Sequence, residues 1–587
     1  MTAAPVSVRP HLMPEAVRPA GQRALLAEFT SVAEVLAFHR QLMTKPLPGQ
    51  LEAVPAARTV LVVFRTRHHT GEAAKQLRRL RPRTGAASPG REVEIRVHYD
   101  GADLTTLAEQ LGISSQGLID WHTSTRWVGG FAGFTPGFTY CVPEPVATRK
   151  RLRKSEQPFQ VPRLESPRTE VPAGAVALAG EFSAVYPRSS PGGWQLIGST
   201  DAALWDLDRG EPALIQPGDT VSYVPVTEQI TVTAPGQQAT RSAEQRRGVP
   251  EADAVVDVLN PGPQTLLQDL GRPGRAHWGV PPSGAADVQA LRQANELVGN
   301  DDSAAGFEVL CGGLELTVRQ TSVAAVTGAE TTLTVRSPAA KEVSNMALNG
   351  TGAAKRPADE PAEAHRVRSV PLRAPFLLYP GERLRLGTPQ RGLRSYVAFS
   401  GGLAAQTVLG SASTDVLSGL GPAPVAAGDT FALVGVPSGF VGIADVARTA
   451  LPEVAGPTQL RFIPGPRQEW FASRHSNPGL DALQALVWTV REDSNRIGLR
   501  LSAEEAAPSP AIAWTRPEEL PSEPVVRGAI QVPGSGDPVL FLADHPVTGG
   551  YPVIGVVVRE DLGLAAQLPP GAEVRFQAVH PDTLEPV

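Results

Sequence analysis

A short turn motif recurs along the chain and constrains its fold more than any other feature. A glycine is followed within two positions by an acidic residue and then by alternating polar and apolar residues. The motif occurs as PGDTVSY (217–223), PGERLRL (380–386), AGDTFAL (427–433) and PGAEVRF (570–576). Glycine admits the positive φ of a tight turn, and the alternation is typical of a strand with one buried face. The motif predicts a mainly β protein with a few helices, built from several closed or sandwiched sheets.

The length of 587 residues exceeds what one hydrophobic core supports and predicts two to four domains. The polar, weakly periodic stretch 227–254 predicts a linker between a first half at 22–226 and a second half at 255–587. Prolines and charges interrupt the start of the chain, so we expect a weakly ordered N-terminus at 1–21. Residues 337–369 are rich in alanine, proline and charge without aromatic residues, which predicts a mobile insertion.

Charge and composition argue against several classes of partner. A formal net charge of −5 gives no general attraction to nucleic acid or to an anionic membrane, and no apolar run reaches the length of a membrane span. Two cysteines, Cys141 and Cys311, are too few for a disulfide framework or a cysteine-rich zinc site. With no signal-type N-terminus, we expect a cytoplasmic protein that binds a small molecule, and homo-oligomerisation stays open.

Residues 103–123 have the outline of a DNA-binding helix-turn-helix motif. Residues 104–124 contain no lysine or arginine, and phosphate contacts are what bring such a motif to DNA. The segment therefore predicts a plain αα-hairpin, with Ser114 as a helix cap.

Two glycine-rich segments of the first half combine a contorted backbone with aromatic rings. GGFAGFTPGFTY (129–140) holds four glycines and four aromatic residues, which suits either the rim of a ligand pocket or a packed turn. SPGGW (190–194) places Gly192 and Gly193 beside Trp194, whose ring can stack on a base or fill the end of a barrel.

The second half begins with two polar motifs. QDLGRPG (268–274) places Asp269 and Arg272 around a glycine turn, where they can face one ligand or pair with each other to pin the turn. PPSGAAD (281–287) precedes a helix-like segment whose free N–H groups would favour a phosphate, with Ser283 as a helix cap as the alternative.

Two further polar clusters lie in DSNRIGLRL (493–501) and DHPVTGGYP (544–552). Each could be a surface turn, but two such clusters in one half favour a ligand site.

Long ordered motifs in both halves carry a resemblance to a known family. The first half contains HTSTRWVGGFAGFTPGFTY (122–140) and YPRSSPGGWQLIGST (186–200), and the second contains LNPGPQTLLQDLGRPGRAHWGVPPSGAADVQALRQANELVGN (259–300) and LADHPVTGGYPVIGVV (542–557). They resemble carboxyltransferase subdomains C and D followed by subdomains A and B. These are the domains of the B and C subunits of 5-oxoprolinase, also described as the kinase A inhibitor and its antagonist.

The resemblance implies cyclophilin-like β-barrel modules in two fused halves. It also implies the B–C component of ATP-dependent 5-oxoprolinase, which opens the lactam of 5-oxo-L-proline to L-glutamate together with a separate A subunit, using ATP and Mg²⁺. Catalytic roles are expected for Asp269, Arg272, Asp493 and Arg496, and no metal ligand is assigned. Because the motifs of Arg272 and Asp493 both match this family, the resemblance further implies that these two residues converge on one phosphate and its metal, as phosphoryl transfer requires. The residues expected to bind substrate or nucleotide are His122, Gly133, Pro136, Gly137, Tyr140, Gly192, Gly193, Trp194, Ser283, Gly284, Asp287, Asn495, Asp544, Thr548, Gly549, Gly550 and Tyr551.

Two other functions stay open on the sequence. Urea carboxylases carry the same carboxyltransferase domains, so a urea- or allophanate-handling protein is one alternative. The chain lacks a Met-Lys-Met biotin-attachment motif, and that activity would need partners from outside. A non-enzymatic protein that regulates a histidine kinase is the other alternative.

Overall fold

The computed structural model describes residues 13–82, 90–144, 159–164, 166–227, 255–338, 366–472, 476–503, 510–516 and 518–587. Residues 228–254 of the expected linker and 339–365 of the expected insertion lie outside this part of the chain.

The chain begins with a four-stranded antiparallel sheet backed by two helices. The strands are β1 (Ala16–Pro19), β2 (Ala24–Glu28), β3 (Gln50–Pro55) and β4 (Thr59–Phe64), in the order β1-β2-β4-β3, and the helices are α1 (Val32–Thr44) and α2 (Arg67–Arg79). Phe38 and Leu42 of α1 pack against Val60 and Phe64 of β4 in one core. The expectation of weak order up to residue 21 is wrong for residues 13–21, because β1 pairs with β2 from Ala16 to Pro19.

A nearly closed barrel completes the first half. Its elements in chain order are β5 (Glu92–Val97), α3 (Leu104–Gln110), α4 (Ser115–Ser124), β6 (Trp127–Ala132), β7 (Thr139–Pro143), β8 (Arg168–Val171), β9 (Ala175–Ala179), β10 (Phe182–Val185), β11 (Ser190–Gly192), β12 (Gln195–Ser199) and β13 (Thr220–Pro225). Seven strands pair in the order β12-β9-β10-β7-β6-β13-β5, and β8 pairs with β11 separately. A bridge between His98 and Ser199 joins the two edges, which nearly closes the sheet on itself.

The αα-hairpin of α3 and α4 is present as expected. The Ser114 hydroxyl caps α4 by accepting a hydrogen bond from the Gly117 N–H at 3.0 Å. Leu107 and Leu118 are buried in the barrel core, so the hairpin closes one end of the barrel.

A two-sheet sandwich opens the second half. Its elements are β14 (Val256–Pro261), β15 (Gln264–Gln268), α5 (Val288–Leu297), β16 (Gly306–Leu310), β17 (Leu314–Val318), β18 (Ser322–Glu330), β19 (Leu333–Arg336), β20 (Val367–Ser369), β21 (Phe376–Leu378), β22 (Arg383–Leu386), β23 (Arg391–Phe399) and β24 (Thr430–Phe431). The sheets have the orders β20-β19-β22-β17-β14-β24 and β15-β16-β23-β18-β21. The predicted C-terminal boundary of the insertion, residue 369, is wrong, because residues 367–369 form β20 and pair with β19.

A closed seven-stranded barrel ends the chain. Its elements are β25 (Thr458–Pro464), α6 (Pro478–Ala485), β26 (Trp488–Val490), β27 (Gly498–Ala503), β28 (Glu523–Pro524), β29 (Ala529–Gln531), β30 (Val539–Phe541), β31 (Thr548–Gly549), β32 (Val553–Val557), α7 (Leu562–Ala566) and β33 (Glu573–Ala578). The barrel order is β25-β32-β29-β30-β27-β26-β33, and β28 pairs with β31 outside it. Trp488, Leu460 and Phe576 are fully or almost fully buried in its core.

The predicted fold class is confirmed: the chain is mainly β with a few helices, and each half contains a closed or nearly closed barrel. In the four recurrent turns the glycine has a positive φ, between 79° and 96°, and a strand follows each turn. Within the described ranges, no helix combines the length and the apolar character needed to cross a membrane.

Candidate functional site

The Asp269 carboxylate organises the first loop of the site. Oδ1 accepts hydrogen bonds from the Gly271 N–H at 2.7 Å and from the Ser411 and Ser413 hydroxyls at 2.6 and 2.5 Å. Oδ2 accepts from the Ala412 N–H at 2.7 Å. The carboxylate therefore accepts four hydrogen bonds, from Gly271 and from the loop at 411–413. These bonds give it a structural role, which is to hold the two loops together.

Arg272 is a buried cation with one unused donor. Its side chain donates from Nε to the Val408 carbonyl at 3.3 Å and from Nη2 to the Ser413 carbonyl, while Nη1 has no hydrogen-bond partner among the described residues. Burial lowers the pKa of Arg272, and the acidic groups of Asp415, Asp269 and Asp544 act in the opposite direction. Asp269 and Arg272 do not form the ion pair that was one reading of QDLGRPG. They hold the loop at 408–413 separately.

Asp544 joins three of the predicted motifs. Its Oδ1 accepts from the Ser283 hydroxyl at 2.6 Å and from Arg496 Nη2 at 3.0 Å, and its Oδ2 accepts from Arg496 Nε at 3.0 Å. Arg496 also donates to the Gly284 carbonyl at 2.6 Å and pairs with Glu308. Burial alone would raise the pKa of Glu308, but Arg496 and Arg394 outweigh it and lower that pKa.

Asp415 lies beside Asp544 in the same buried region. Its carboxylate accepts from the N–H groups of Leu417 and Ser418 at 2.9 and 3.0 Å and from the Ser418 hydroxyl at 2.5 Å. Burial and the charge of Asp544 raise the pKa of Asp415 to about 6, against the hydrogen bonds from Ser418. This carboxyl group therefore titrates close to neutral pH.

Arg188 brings the first half into this site. Its two Nη atoms donate to the Leu417 and Ser418 carbonyls, across the boundary between the halves, and its Nε has no partner among the described residues. Burial lowers the pKa of Arg188, while Asp415 raises it. We call the group Arg188, Arg272, Ser283, Asp415, Arg496 and Asp544 the interhalf cluster.

The glycine-aromatic motif that the sequence left open is an interface between the halves. A Cβ on Gly133 would lie 2.1 Å from Oγ1 of Thr548, and the Gly137 N–H donates to the Trp278 carbonyl at 3.0 Å. The side chains of Thr548 and Ser522 hydrogen-bond to the Tyr140 hydroxyl. The predicted residues Gly133, Gly137, Tyr140 and Thr548 thus lie at one contact surface. In the structure this surface docks the first half of the chain on the second.

Beside this interface, Trp194 of SPGGW belongs to a packed cluster that is separate from the interior core of the first barrel. The Trp194 ring packs edge-on against Phe138 and Tyr140, with centroid separations of 5.5 and 5.4 Å. A Cβ on Gly192 would lie 2.3 Å from the Tyr186 hydroxyl oxygen, and one on Gly193 would meet Pro167 at 3.7 Å. Of the two readings of this motif, the structure favours the packed one. Pro136 is likewise buried in the interface turn.

His122 belongs to the core of the first barrel. Its Nδ1 lies 2.7 Å from the Tyr99 hydroxyl, its Nε2 lies 2.9 Å from the Ser183 hydroxyl, and its ring stacks on Tyr223 at 4.2 Å. Burial lowers the pKa of His122 to about 3, so the ring is neutral. The side chain is fully buried and lies in a different core from the interhalf cluster.

Asp493 does not join Arg272, and the predicted convergence of these two residues is wrong. Its half-exposed carboxylate pairs with Arg491 at 3.1 Å and Arg500 at 3.4 Å in a surface turn. Asn495 in the same turn accepts from the Ile497 N–H at 2.8 Å and is exposed. Of the three predicted site residues in this motif, Asp493, Asn495 and Arg496, only Arg496 is buried.

The tip of DHPVTGGYP is also outside the cluster. Tyr551 is 48% exposed and lies 6.4 Å from the Trp514 ring. Gly550 is exposed with no atom near a would-be Cβ, and Gly549 packs on Gln531. The motif therefore divides into a buried start at Asp544, an interface residue at Thr548 and an exposed tip.

The start of α5 is not a free anion site. Asp287, and not Ser283, caps the helix, with Oδ1 accepting from the Ala290 N–H at 3.1 Å and from the Thr449 hydroxyl at 2.7 Å. Gln567 donates to its Oδ2 at 3.0 Å. The expected phosphate at this helix start is thus replaced by the chain's own carboxylate. The pKa of Asp287 is raised by burial.

Three residues of the site escaped the sequence analysis: Arg188, Asp415 and Glu308. Asp415 ends the polar run LGSASTD (409–415), and Arg188 precedes SPGGW by two positions. The signal that could have found them is their position next to glycine-rich motifs. Glu308 lies in an apolar strand, and a charge at that place signals a buried pair.

Two cavities flank the loops that carry the cluster. One of about 470 Å³ is lined in part by Pro273, Pro282 and His545, which are sequence neighbours of Arg272, Ser283 and Asp544. The other, of about 300 Å³, is lined by Asp269, Gly271 and Gly410. Chain neighbours of the cluster thus line two spaces large enough for small ligands.

Donor chemistry in and near the cluster suits an anion better than a bare cation. Nη1 of Arg272, Nε of Arg188 and Nε1 of Trp278 are buried donors with no hydrogen-bond partner among the described residues. The described part of the chain contains no group of three or more histidine, cysteine or acidic side chains placed to hold a metal ion. Phosphate oxygens would fit these donors. A Mg²⁺ ion would have to be held largely by phosphate oxygens and water.

Comparison with known proteins agrees with the two-half organisation. A family model described as carboxyltransferase domain, subdomain C and D, matches residues 15–215, and one described as carboxyltransferase domain, subdomain A and B, matches residues 278–578. The crystal structure of TTHA0988 has a TM-score of 0.74 with this chain at 30% identity, and the match covers 94% of this chain and 99% of that one.

Curated relatives match one half each. The B subunit of 5-oxoprolinase from Escherichia coli O157:H7 is 37% identical over 189 residues, which cover 31% of this chain and 82% of that protein. The C subunit of 5-oxoprolinase from Escherichia coli K12 is 30% identical over 325 residues, which cover 55% of this chain and 90% of that protein. The chain therefore belongs to the carboxyltransferase-domain family, with a first half similar to the B subunit of 5-oxoprolinase and a second half similar to its C subunit.

Proposed function

We propose that the chain is the fused B–C component of an ATP-dependent 5-oxoprolinase, which activates the lactam of 5-oxo-L-proline for ring opening to L-glutamate together with a separate A subunit. The observation that carries this proposal is the interhalf cluster. The first half supplies Arg188, and the second half supplies Arg272, Asp415 and Asp544. Two proteins that make one site between them have a reason to be fused.

The chemistry explains why such a site needs both cations and an acid. A lactam is an unactivated amide, and bound ATP would supply a phosphoryl group to its oxygen. The spare donors of Arg272 and Arg188 would stabilise negative charge in a site closed to bulk water, where such donors are most effective. Ser283, Arg496 and Asp544 hold the loops that carry these donors in one geometry.

Asp415 is the group suited to move a proton. Its pKa is raised to about 6, so at neutral pH it is mostly ionised but returns a proton readily. Its carboxylate accepts three hydrogen bonds, which leaves it about one further acceptor position for a substrate proton or a metal-bound water. Mg²⁺ would enter with the nucleotide, since one or two carboxylates and the phosphates are its usual ligands.

The test combines the purified chain with the A subunit of 5-oxoprolinase, ATP and Mg²⁺ and follows the release of glutamate from 5-oxo-L-proline. Glutamate release that requires all of these components is the expected result. Parallel reactions with urea and with allophanate, and an assay of histidine-kinase autophosphorylation, examine the alternative functions. Turnover of urea or allophanate without glutamate release would overturn the proposal, and so would kinase inhibition without any turnover.

A further inference from the structure

The larger cavity, of about 470 Å³, lies where the first sheet meets the last barrel. Val54 and Val63 of the sheet form one apolar wall, and Val526, Val547 and Val556 form the wall on the barrel side. Pro282, Asp287 and Gln289, which lie before and at the start of α5, also line the cavity. A volume of this size with mostly apolar walls is typical of a pocket for a small organic molecule.

Arg527 lines this cavity and carries a positive charge. Its Nη atoms donate to the Ala285 and Ala286 carbonyls, but its buried Nε has no hydrogen-bond partner among the described residues. No carboxylate oxygen of the described chain lies within 4.0 Å of its guanidinium nitrogens. A buried cation without a close counter-ion is costly, and an anion beside it removes much of that cost.

Each acidic side chain that lines the cavity already accepts at least one hydrogen bond from the protein. Asp287 is bonded to Thr449 and Gln567, and Glu52 accepts from the Ala276 N–H at 2.7 Å. Glu560 accepts from Gln22 at 3.1 Å. On the same lining, Arg23 and Arg559 add positive charge.

We propose that this cavity binds a small organic carboxylate with an apolar body, and that the guanidinium group of Arg527 is the counter-ion of the carboxylate. The apolar walls on the sheet and the barrel would enclose the body of the ligand. Because the ligand touches both halves, its binding also couples the first sheet to the loop at 283–287, whose Gly284 carbonyl is bonded to Arg496 of the interhalf cluster. Carboxylate binding in this cavity does not depend on the proposed function, because it requires only a carboxylate group and an apolar body in the ligand.

The experiment uses isothermal titration calorimetry on the full chain. The probes are 5-oxo-L-proline, cyclopentanecarboxylate, and 2-pyrrolidinone as the neutral lactam without a carboxylate. We expect saturable binding of at least one of the two carboxylates and none of 2-pyrrolidinone. R527Q should weaken binding at least about tenfold, because a charge-assisted contact is lost. R448Q is the matched control, since Arg448 also lines the cavity but already pairs with Glu296 and Asp445.

A second variant tests the cavity without touching Arg527. V63W places a large ring in the space and should abolish carboxylate binding while Arg527 stays in place. Absence of saturable binding of both carboxylates to the wild-type chain would overturn the proposal. Unchanged affinity in V63W, or in a folded R527Q, would also overturn it. Carboxylate binding with no glutamate release in the reconstituted 5-oxoprolinase assay would overturn the proposed function alone.

Discussion

The Ser283 hydroxyl donates to the Asp544 carboxylate at 2.6 Å, although 261 positions separate the two residues. Ser283 has a positive φ of 52°, which is unusual for a residue with a side chain. The strained turn aims its hydroxyl at the barrel, and Arg496 completes the contact from the other side of Asp544. This junction connects the sandwich of the second half to its barrel at the interhalf cluster.

Asp544→Ala should destabilise the fold strongly. The substitution leaves Arg496 buried with only part of its counter-charge, and breaking a buried pair costs about 3–5 kcal/mol. Asp493→Ala is the control, because its half-exposed pairs are worth at most about 1 kcal/mol. Urea unfolding of both variants measures the difference. Equal losses in the two variants would show that the buried pair has no special role.

Asp415→Asn should change the pH dependence of stability. The pKa of Asp415 is about 6 in the folded chain and 3.8 ordinarily, so between these values the folded chain keeps a proton that the unfolded chain has lost. The contribution of this group therefore falls as pH rises from about 4 to about 6. The free energy of unfolding of the variant, relative to wild type, should grow across this window and then level off. A difference that is the same at both ends would contradict the raised pKa.

Arg188→Ala should reduce turnover more than it reduces stability. The variant loses a buried donor without a partner, which the proposed function assigns to charge stabilisation, and loss of one such donor costs about 10²–10³ in kcat. Arg188→Lys keeps the charge and should recover part of the rate. Arg126→Ala is the control, because Arg126 is exposed and pairs with Glu92 and Glu144. Glutamate release in the reconstituted assay, per folded molecule, is the measurement. Normal kcat in Arg188→Ala would remove Arg188 from the mechanism.

Gly133→Ala should weaken the docking of the two halves. Its Cβ would lie 2.1 Å from Oγ1 of Thr548, and overpacking of this kind costs about 1–3 kcal/mol. The double variant with Thr548→Gly should recover part of that loss. Gly550→Ala has open space around it and should be near neutral. The measurement is the melting temperature of the wild type and of these variants. If the effects of the changes at positions 133 and 548 were simply additive, that result would contradict the observed contact.

His122→Phe should affect stability and not turnover per folded molecule. The hydroxyls of Tyr99 and Ser183 lose a buried partner, at about 1–3 kcal/mol for each group left unsatisfied. The pKa of His122 is lowered from 6.5 to about 3, so its contribution is present above pH 6.5 and is lost as pH falls toward 3. The variant should therefore lose stability less steeply with acid. A large fall in kcat at unchanged stability would place His122 among the site residues again.

The local elements of this protein could be predicted from its amino-acid sequence. Glycine at the recurrent turns and alternation after them set positive φ and strands, because both are properties of a few neighbouring residues. The αα-hairpin at 104–124 and the barrels of the two halves followed from the same kind of information, together with the family motifs.

Which polar motifs form the site depends on contacts between distant parts of the folded chain. Asp493 and Arg496 belong to one motif, yet Asp493 pairs on the surface and Arg496 is buried against Asp544. The sequence cannot distinguish them, because burial and partner depend on strands that are distant along the chain. Arg188 and Asp415 meet through the docking of the two halves, and their altered pKa values arise from desolvation and neighbouring charges that exist only in the folded chain.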